Sequence, residues 1–235
     1  SAVAEAVKET DAIFHLAARA SVQQSFEKPE ELADVNCTGT SLLFEAARDF
    51  DVDNVVVASS AAIYGSGGVL PKRENMPVSP ESPYATSKYY TEQVALQLGD
   101  RYDIDTVALR YFNVFGPRQD PSGEYAAVIP KFIERMLNGK EPVIYGDGEQ
   151  TRDFVYVKDV AHANMLAVED EVPNGVYNIA QGTSISIKEL VDRLNDVMEI
   201  NLEPIHDEPR SGEVRHSEAD ISKAAENLGF EPEVT

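Results

Sequence analysis

The sequence predicts an α/β protein built on a doubly wound, mainly parallel sheet, followed by a smaller α/β unit. Three observations carry this. Apolar runs rich in β-branched residues read as buried strands. Longer stretches with helical apolar spacing separate them, as crossover helices do in a parallel sheet. Polar clusters follow two of the runs directly, "SSAAIYG" after 54–58 and "RYFNVFGPR" after 105–109. Open parallel sheets place ligands beyond the carboxyl ends of their strands.

Taken in order, residues 12–18, "AIFHLAA", read as a strand ending in small residues. Residues 30–48 read as one helix, because Leu32, Val35, Leu42, Leu43 and Ala46 return at helical spacing. "NVVVASS", 54–60, is a β-branched strand ending in two serines. A helix spans 84–101, and "DTVALRYFNVFGP" is a strand entering a loop. A helix near 127–138, a short strand "PVIYG" at 142–146, the run "DFVYV" and a helix at 158–169 follow. "GVYNIA", 175–180, is a strand expected to return to the first sheet. The helix 186–198 opens with a capping box, Ser186 to Glu189. The helix 221–229 is stopped by Gly229. Gly and Pro concentrate in loops at 65–83 and 116–123, and no repeat or low-complexity segment interrupts the pattern.

Composition narrows the function classes. The chain has 235 residues, 43% of them hydrophobic, enough for a sizeable core. No run of apolar residues is long enough for a transmembrane helix, and the first residues lack the basic and apolar regions of a signal peptide. Cys37 is the single cysteine, which excludes a disulfide within one chain or a Cys-based metal site and suits a reducing cytoplasm. Acidic residues outnumber basic ones 41 to 20, for a formal net charge of -21. They are dispersed along the chain, as in a halophilic surface kept soluble by self-repulsion, or in a merely acidic protein. Such a surface repels a nucleic-acid backbone. An anionic small substrate then needs local arginines. The histidines His15, His162, His206 and His216 lack metal-ligand spacing, and His15 reads as a satisfied core residue.

The segment "SPYATSKYYTEQ", 82–93, places Lys88 four residues after Tyr84, on one helical face. A nearby ammonium favours phenolate and lowers a tyrosine pKa from about 10, which suits proton transfer at a sugar or alcohol oxygen. Alone, the spacing is also that of an ordinary helical pair. Ser60 ends a buried strand 24 residues earlier. Its hydroxyl can donate to a reacting oxygen and relay a proton to Tyr84. Ser59 reads as a serine satisfying strand-end backbone groups.

Five motifs occur in order: "SSAAIYG", "SPYATSK", "LRYFNVFGPRQDP", "YGDGEQTRDFVYVKDV" and "RSGEVRHSEADISKA". Together they resemble the extended short-chain dehydrogenase/reductase family of NAD-dependent nucleotide-sugar epimerases and dehydratases, across essentially the whole chain. The resemblance implies a partial Rossmann-like dinucleotide-binding domain in 1–115 and a mainly substrate-binding domain in 116–235. It implies Tyr84 as the acid/base, Ser60 as its partner, and Lys88 as a holder of the nicotinamide ribose. Leu16, Ala17, Ala18, Asn36, Ala58 and Phe112 then fall on the cofactor side. Asn113, Val128, Tyr145, Arg152, Arg210 and Ser217 fall on the side of a UDP-sugar. Arg152 and Arg210 match the pair that grips the diphosphate, as a strongly acidic protein requires. A homodimer through the Tyr84 helix and the helix near 36–48 is the implied assembly.

One dipeptide separates the reactions of this family. Elimination needs a further acid and base, and relatives that eliminate place Asp or Glu beside the Ser. Here Ala61 and Ala62 follow Ser60 and cannot titrate. Epimerisation at carbon 4 needs only Tyr84, Ser60 and a hydride carrier. Ser217 matches a position that is bulky and aromatic in relatives restricted to plain hexoses, so a wider pocket for N-acetylated sugars is expected. The glycine-rich turn of a dinucleotide site is not in the sequence, and "GSGG", 65–68, precedes a loop. By resemblance the chain starts just before the fourth strand and also ends short. Two readings follow: a UDP-sugar 4-epimerase seen in part, or a non-catalytic remnant that binds nucleotide sugar or a partner chain.

Overall fold

The structure is a computed structural model that describes residues 2–121, 127–169, 171–209 and 214–234. Its main sheet is parallel, in the order β1 (Ala12–His15), β2 (Asn54–Ser60), β3 (Asp105–Tyr111) and β8 (Gly175–Ile179). Successive residues of β2 face opposite sides. Val55 and Val57 pack with Phe44, Ala47 and Ala95 on one face; Val56 packs with Leu109, Tyr177 and Phe230 on the other. Both faces are thus buried, which is why β2 is an unbroken apolar run. The first face carries α1 (Ala2–Val7), α4 (Gly39–Asp49) and α5 (Pro83–Tyr102). The second carries α7 (Val157–Leu166) and α9 (Ser222–Leu228), which ends at Gly229 with φ 67°.

The first predicted strand is shorter than expected. It stops at His15, and Leu16 to Ala18 leave the sheet. The chain is drawn away because Asn36 takes both backbone groups of Arg19: Arg19 N donates to Asn36 Oδ1 at 2.8 Å, and Asn36 Nδ2 donates to Arg19 O at 3.1 Å. The expected single helix over 30–48 is also corrected. It is a short α3 (Pro29–Ala33), one π-helical turn (Asp34–Thr38) and α4. The wider turn brings Asn36 inward, where it is buried. Before α3 lies α2 (Val22–Glu27), absent from the sequence reading, with Ser21 accepting from Gln24 N.

The smaller layer is made of three two-stranded pairs. Parallel β4 (Asn113–Phe115) and β7 (Phe154–Tyr156) form one, parallel β5 (Val143–Tyr145) and β10 (Ile205–Asp207) the next, and antiparallel β6 (Thr151–Arg152) and β9 (Ile185–Ser186) the third. Its core is Phe132, Met136 and Ile144 against Ile187, Leu190 and Val191, between α6 (Val128–Leu137) and α8 (Ile187–Met198). Ser186 caps α8 by accepting from Glu189 N at 3.1 Å. The Glu189 carboxylate goes to Arg193, so only half of the capping box forms.

Helix α5 sits on the sheet through a polar stripe: Ser87, Lys88, Thr91 and Glu92 are buried, with Ala85, Ala95 and Gly99. Gly99 allows the closest approach, since a Cβ there would collide with the Thr106 side chain. Glu92, fully buried, accepts from Ser59 at 2.9 Å and from Arg110 through two bonds of 2.9 and 2.7 Å. Arg110 also donates to the Tyr64 hydroxyl at 2.7 Å, and that hydroxyl donates to Asn178 Oδ1 at 2.7 Å. Ser59 therefore serves this side-chain network and not the strand-end backbone.

Candidate functional site

The site lies at the carboxyl ends of β2 and β3. Ser60 ends β2 and turns the chain into a 3-10 turn, Ala61–Tyr64, by accepting from Ala62 N at 3.2 Å. Tyr84 lies in the first turn of α5, which Ser82 caps by accepting from Ala85 N at 3.1 Å. Ser60 and Tyr84 line the same cavity, and the Ser60 hydroxyl favours the phenolate form of Tyr84. Lys88 is buried one turn further on and donates to Ala58 O at 2.8 Å.

The electrostatics differ from expectation in one respect. The Tyr84 phenol is pushed above its ordinary range by burial, against the pull of the Ser60 hydroxyl. Lys88 is not among the groups that lower it; its ammonium donates to Ala58 O and is itself pushed down to about 8 by burial. The nearby charge of Lys88 is felt instead by His15. Burial first and Lys88 second hold that imidazole down at about 4, and its Nε2 bonds Thr40 Oγ1 at 3.0 Å.

A cavity of about 550 Å³ opens over this pair, lined by Ser60, Tyr84, Phe112, Asn113, Arg152 and Ser217 among others. A second cavity of about 790 Å³ shares Val22, Asn113 and Arg152 with the first and runs on past Val128 and Tyr145. The two form one groove, with hydroxyl chemistry at one end and an aromatic and apolar lining at the other. Arg152 stands at the junction and donates to Thr151 O at 2.8 Å and Arg215 O at 3.3 Å. Arg210 lies outside the described residues. Ser217 is held in the wall by donating its N–H to Thr151 O at 3.2 Å. Asn36 reaches neither cavity; besides Arg19 it donates to Ser87 Oγ at 2.9 Å and so braces the loop after β1 against α5.

Leu16, Ala17 and Ala18 line neither cavity and leave the carboxyl end of β1, with Leu16 53% exposed. Sequence reasoning missed Val22, Gln23 and Phe26 of α2, together with Lys72 and His216, all on the wall of the smaller cavity. The spacing of Val22 and Phe26, four apart on one helical face, was the available signal. Among the described residues no group of His, Cys, Asp and Glu is placed to hold a metal ion. No helix among them is long and apolar enough to cross a membrane.

The residues present fit the nicotinamide end of a dinucleotide. An ammonium carries three donors, and Lys88 uses one on Ala58 O, which leaves donors of the kind ribose hydroxyls take. Phe112, buried at the cavity wall, offers an apolar ring beside them. The 235 residues hold no glycine-rich strand-to-helix turn for the diphosphate, and "GSGG" lies in a loop.

A parallel sheet with a Ser–Tyr–Lys set at its carboxyl ends, opening on a groove with an arginine, defines a short-chain dehydrogenase/reductase type of protein. The chain belongs to the NAD dependent epimerase/dehydratase family, whose family model matches residues 1–180. It is 40% identical over 225 residues to a UDP-glucose 4-epimerase of Mycolicibacterium smegmatis, covering 95% of this chain and 72% of that protein. Among solved structures, the UDP-N-acetylglucosamine 4-epimerase of Methanobrevibacter ruminantium, in complex with UDP-N-acetylmuramic acid, is 44% identical with a TM-score of 0.95. That likeness covers 99% of this chain and 74% of that one. The UDP-glucose 4-epimerase of Thermotoga maritima, with UDP-glucose, is 39% identical with a TM-score of 0.95, covering 100% of this chain and 76% of that one.

Proposed function

We propose that this protein is an NAD-dependent UDP-sugar 4-epimerase. The observation that carries the reading is the single groove joining Ser60 and Tyr84 to Arg152, Val128 and Tyr145. Tyr84 takes the proton of the sugar 4-hydroxyl, and Ser60, on the wall of the same cavity, holds the same oxygen and relays the proton. NAD, when bound, supplies the hydride acceptor and donor at carbon 4. Lys88 and Phe112 hold the nicotinamide end, Ala58 anchors Lys88, and Leu16, Ala17, Ala18 and Asn36 are assigned to the cofactor side outside the two cavities. Arg152 and Arg210 neutralise the diphosphate, Asn113 positions it, and Val128 and Tyr145 flank the nucleotide. Ala61 and Ala62 line the sugar end without a titratable group, which favours epimerisation over elimination.

The reading includes two domains, 1–115 and 116–235, and a cytoplasmic homodimer adapted to high salt. Half-exposed Leu42 of α4 and Tyr90 of α5 support the dimer face, since Ser41 and Tyr90 hydroxyls bond at 3.0 Å and place the two side by side. The test is a 4-epimerase assay with added NAD on UDP-galactose and UDP-N-acetylgalactosamine. Turnover of either supports the reading; saturable UDP-sugar binding with no turnover would leave the non-catalytic alternative standing.

Ser217 bears on the sugar. Its small side chain leaves room in the wall of the sugar-end cavity. Ser217→Tyr is expected to reduce kcat/KM for the N-acetylated substrate on the order of tenfold or more relative to the plain hexose. Parallel assays of both substrates check it, and an unchanged ratio removes Ser217 as a size filter.

A further inference from the structure

We infer that Asp153 is the residue that positions the sugar end of the groove. The inference rests on the UDP-sugar reading above. Asp153 joins β6 to β7 and is fully buried. Its side-chain partners among the described residues are all backbone N–H groups. Oδ1 accepts from Gln181 N at 2.7 Å; Oδ2 accepts from Gly182 N at 3.2 Å and Ala219 N at 3.1 Å. Its own carbonyl accepts from Asn113 N at 3.1 Å.

These bonds gather separate pieces of chain. Gln181 and Gly182 follow β8, the last strand of the main sheet. Ala219 closes the segment 214–219, whose Val214, His216 and Ser217 line the sugar-end cavity. Asn113 begins β4 and lines both cavities. One carboxylate thus pins the wall of the sugar site to the sheet that carries Ser60. The charge-assisted bonds to N–H groups are of the stronger kind. A carboxylate suits the place because both oxygens accept, whereas an amide turns one of them into a donor facing N–H groups. Past Arg152, the far end of the groove at Val128 and Tyr145 is carried by α6 and β5, which pack on α8 through a separate apolar core.

The role separates from simple fold support by which ligand suffers. Asp153→Asn and Asp153→Ala are compared with the wild type by calorimetric titration with UDP and with UDP-N-acetylglucosamine, alongside circular dichroism. The expected result is a folded Asp153→Asn protein whose Kd for the UDP-sugar rises on the order of tenfold while its Kd for UDP stays within about threefold. Asp153→Ala is expected to show the same split, larger. Equal weakening of both ligands, no weakening of either, or failure of Asp153→Asn to fold overturns the inference. A wild type that binds neither ligand counts instead against the UDP-sugar reading. Neither titration needs NAD or turnover.

Discussion

Tyr84→Phe is expected to lower epimerase turnover by about 10²- to 10⁴-fold while leaving UDP-sugar affinity within about threefold. The substitution removes one oxygen. The ring stays at the start of α5, and the Ser82 cap and the Lys88 bond to Ala58 O are untouched. What is lost is the proton acceptor that shares the cavity with Ser60. Steady-state kinetics with UDP-galactose, together with a binding titration, separate the two effects. Turnover within tenfold of the wild type would remove Tyr84 from the role of acid/base. The phenol sits above its usual range here and Ser60 pulls it down, so a Ser60→Ala control should also slow turnover.

Arg110→Met is expected to destabilise the fold by about 3–5 kcal/mol, because it leaves the Glu92 carboxylate buried without its cation. Arg110 and Glu92 are both buried, 2.7 Å apart at their closest, so solvent cannot compensate. A small α/β protein has only about 5–15 kcal/mol to lose. The double variant Glu92→Met/Arg110→Met is expected to recover most of that loss, since matched apolar side chains avoid the desolvation of both charges. Urea unfolding of the single and double variants checks this. A single variant within about 1 kcal/mol of the wild type would show that the charge pair adds little to stability.

Much of the sheet is readable in advance because β2 and β3 are buried on both faces and therefore continuous in sequence. Helix α5 is harder to read. Its buried stripe mixes polar and small residues, so apolar periodicity marks the sheet-facing side only weakly. The clue is the spacing of Tyr84, Lys88 and Glu92, each four residues after the last, but nothing local identifies Arg110 as the partner of Glu92. The π-helical turn at 34–38 is likewise hidden, because its side chains suit an ordinary helix and the widening serves distant contacts to Arg19 and Ser87. Ser60, Tyr84 and Lys88 stand out from their neighbours by chemistry and spacing. Asp153 does not: it is one acidic residue among 41, and only its burial distinguishes it.

The underside of α5 also divides the protein's response to ionic strength. Its acidic exterior faces the bulk electrolyte, where dissolved ions screen charge over roughly 10 Å at 0.1 M. The Glu92–Arg110 pair is sealed beneath a helix that mobile ions do not enter. Added salt therefore relieves repulsion across the outer surface while leaving the field of the buried pair nearly constant. An interior of fixed charges lets the exterior be recharged for its surroundings without retuning the chemistry.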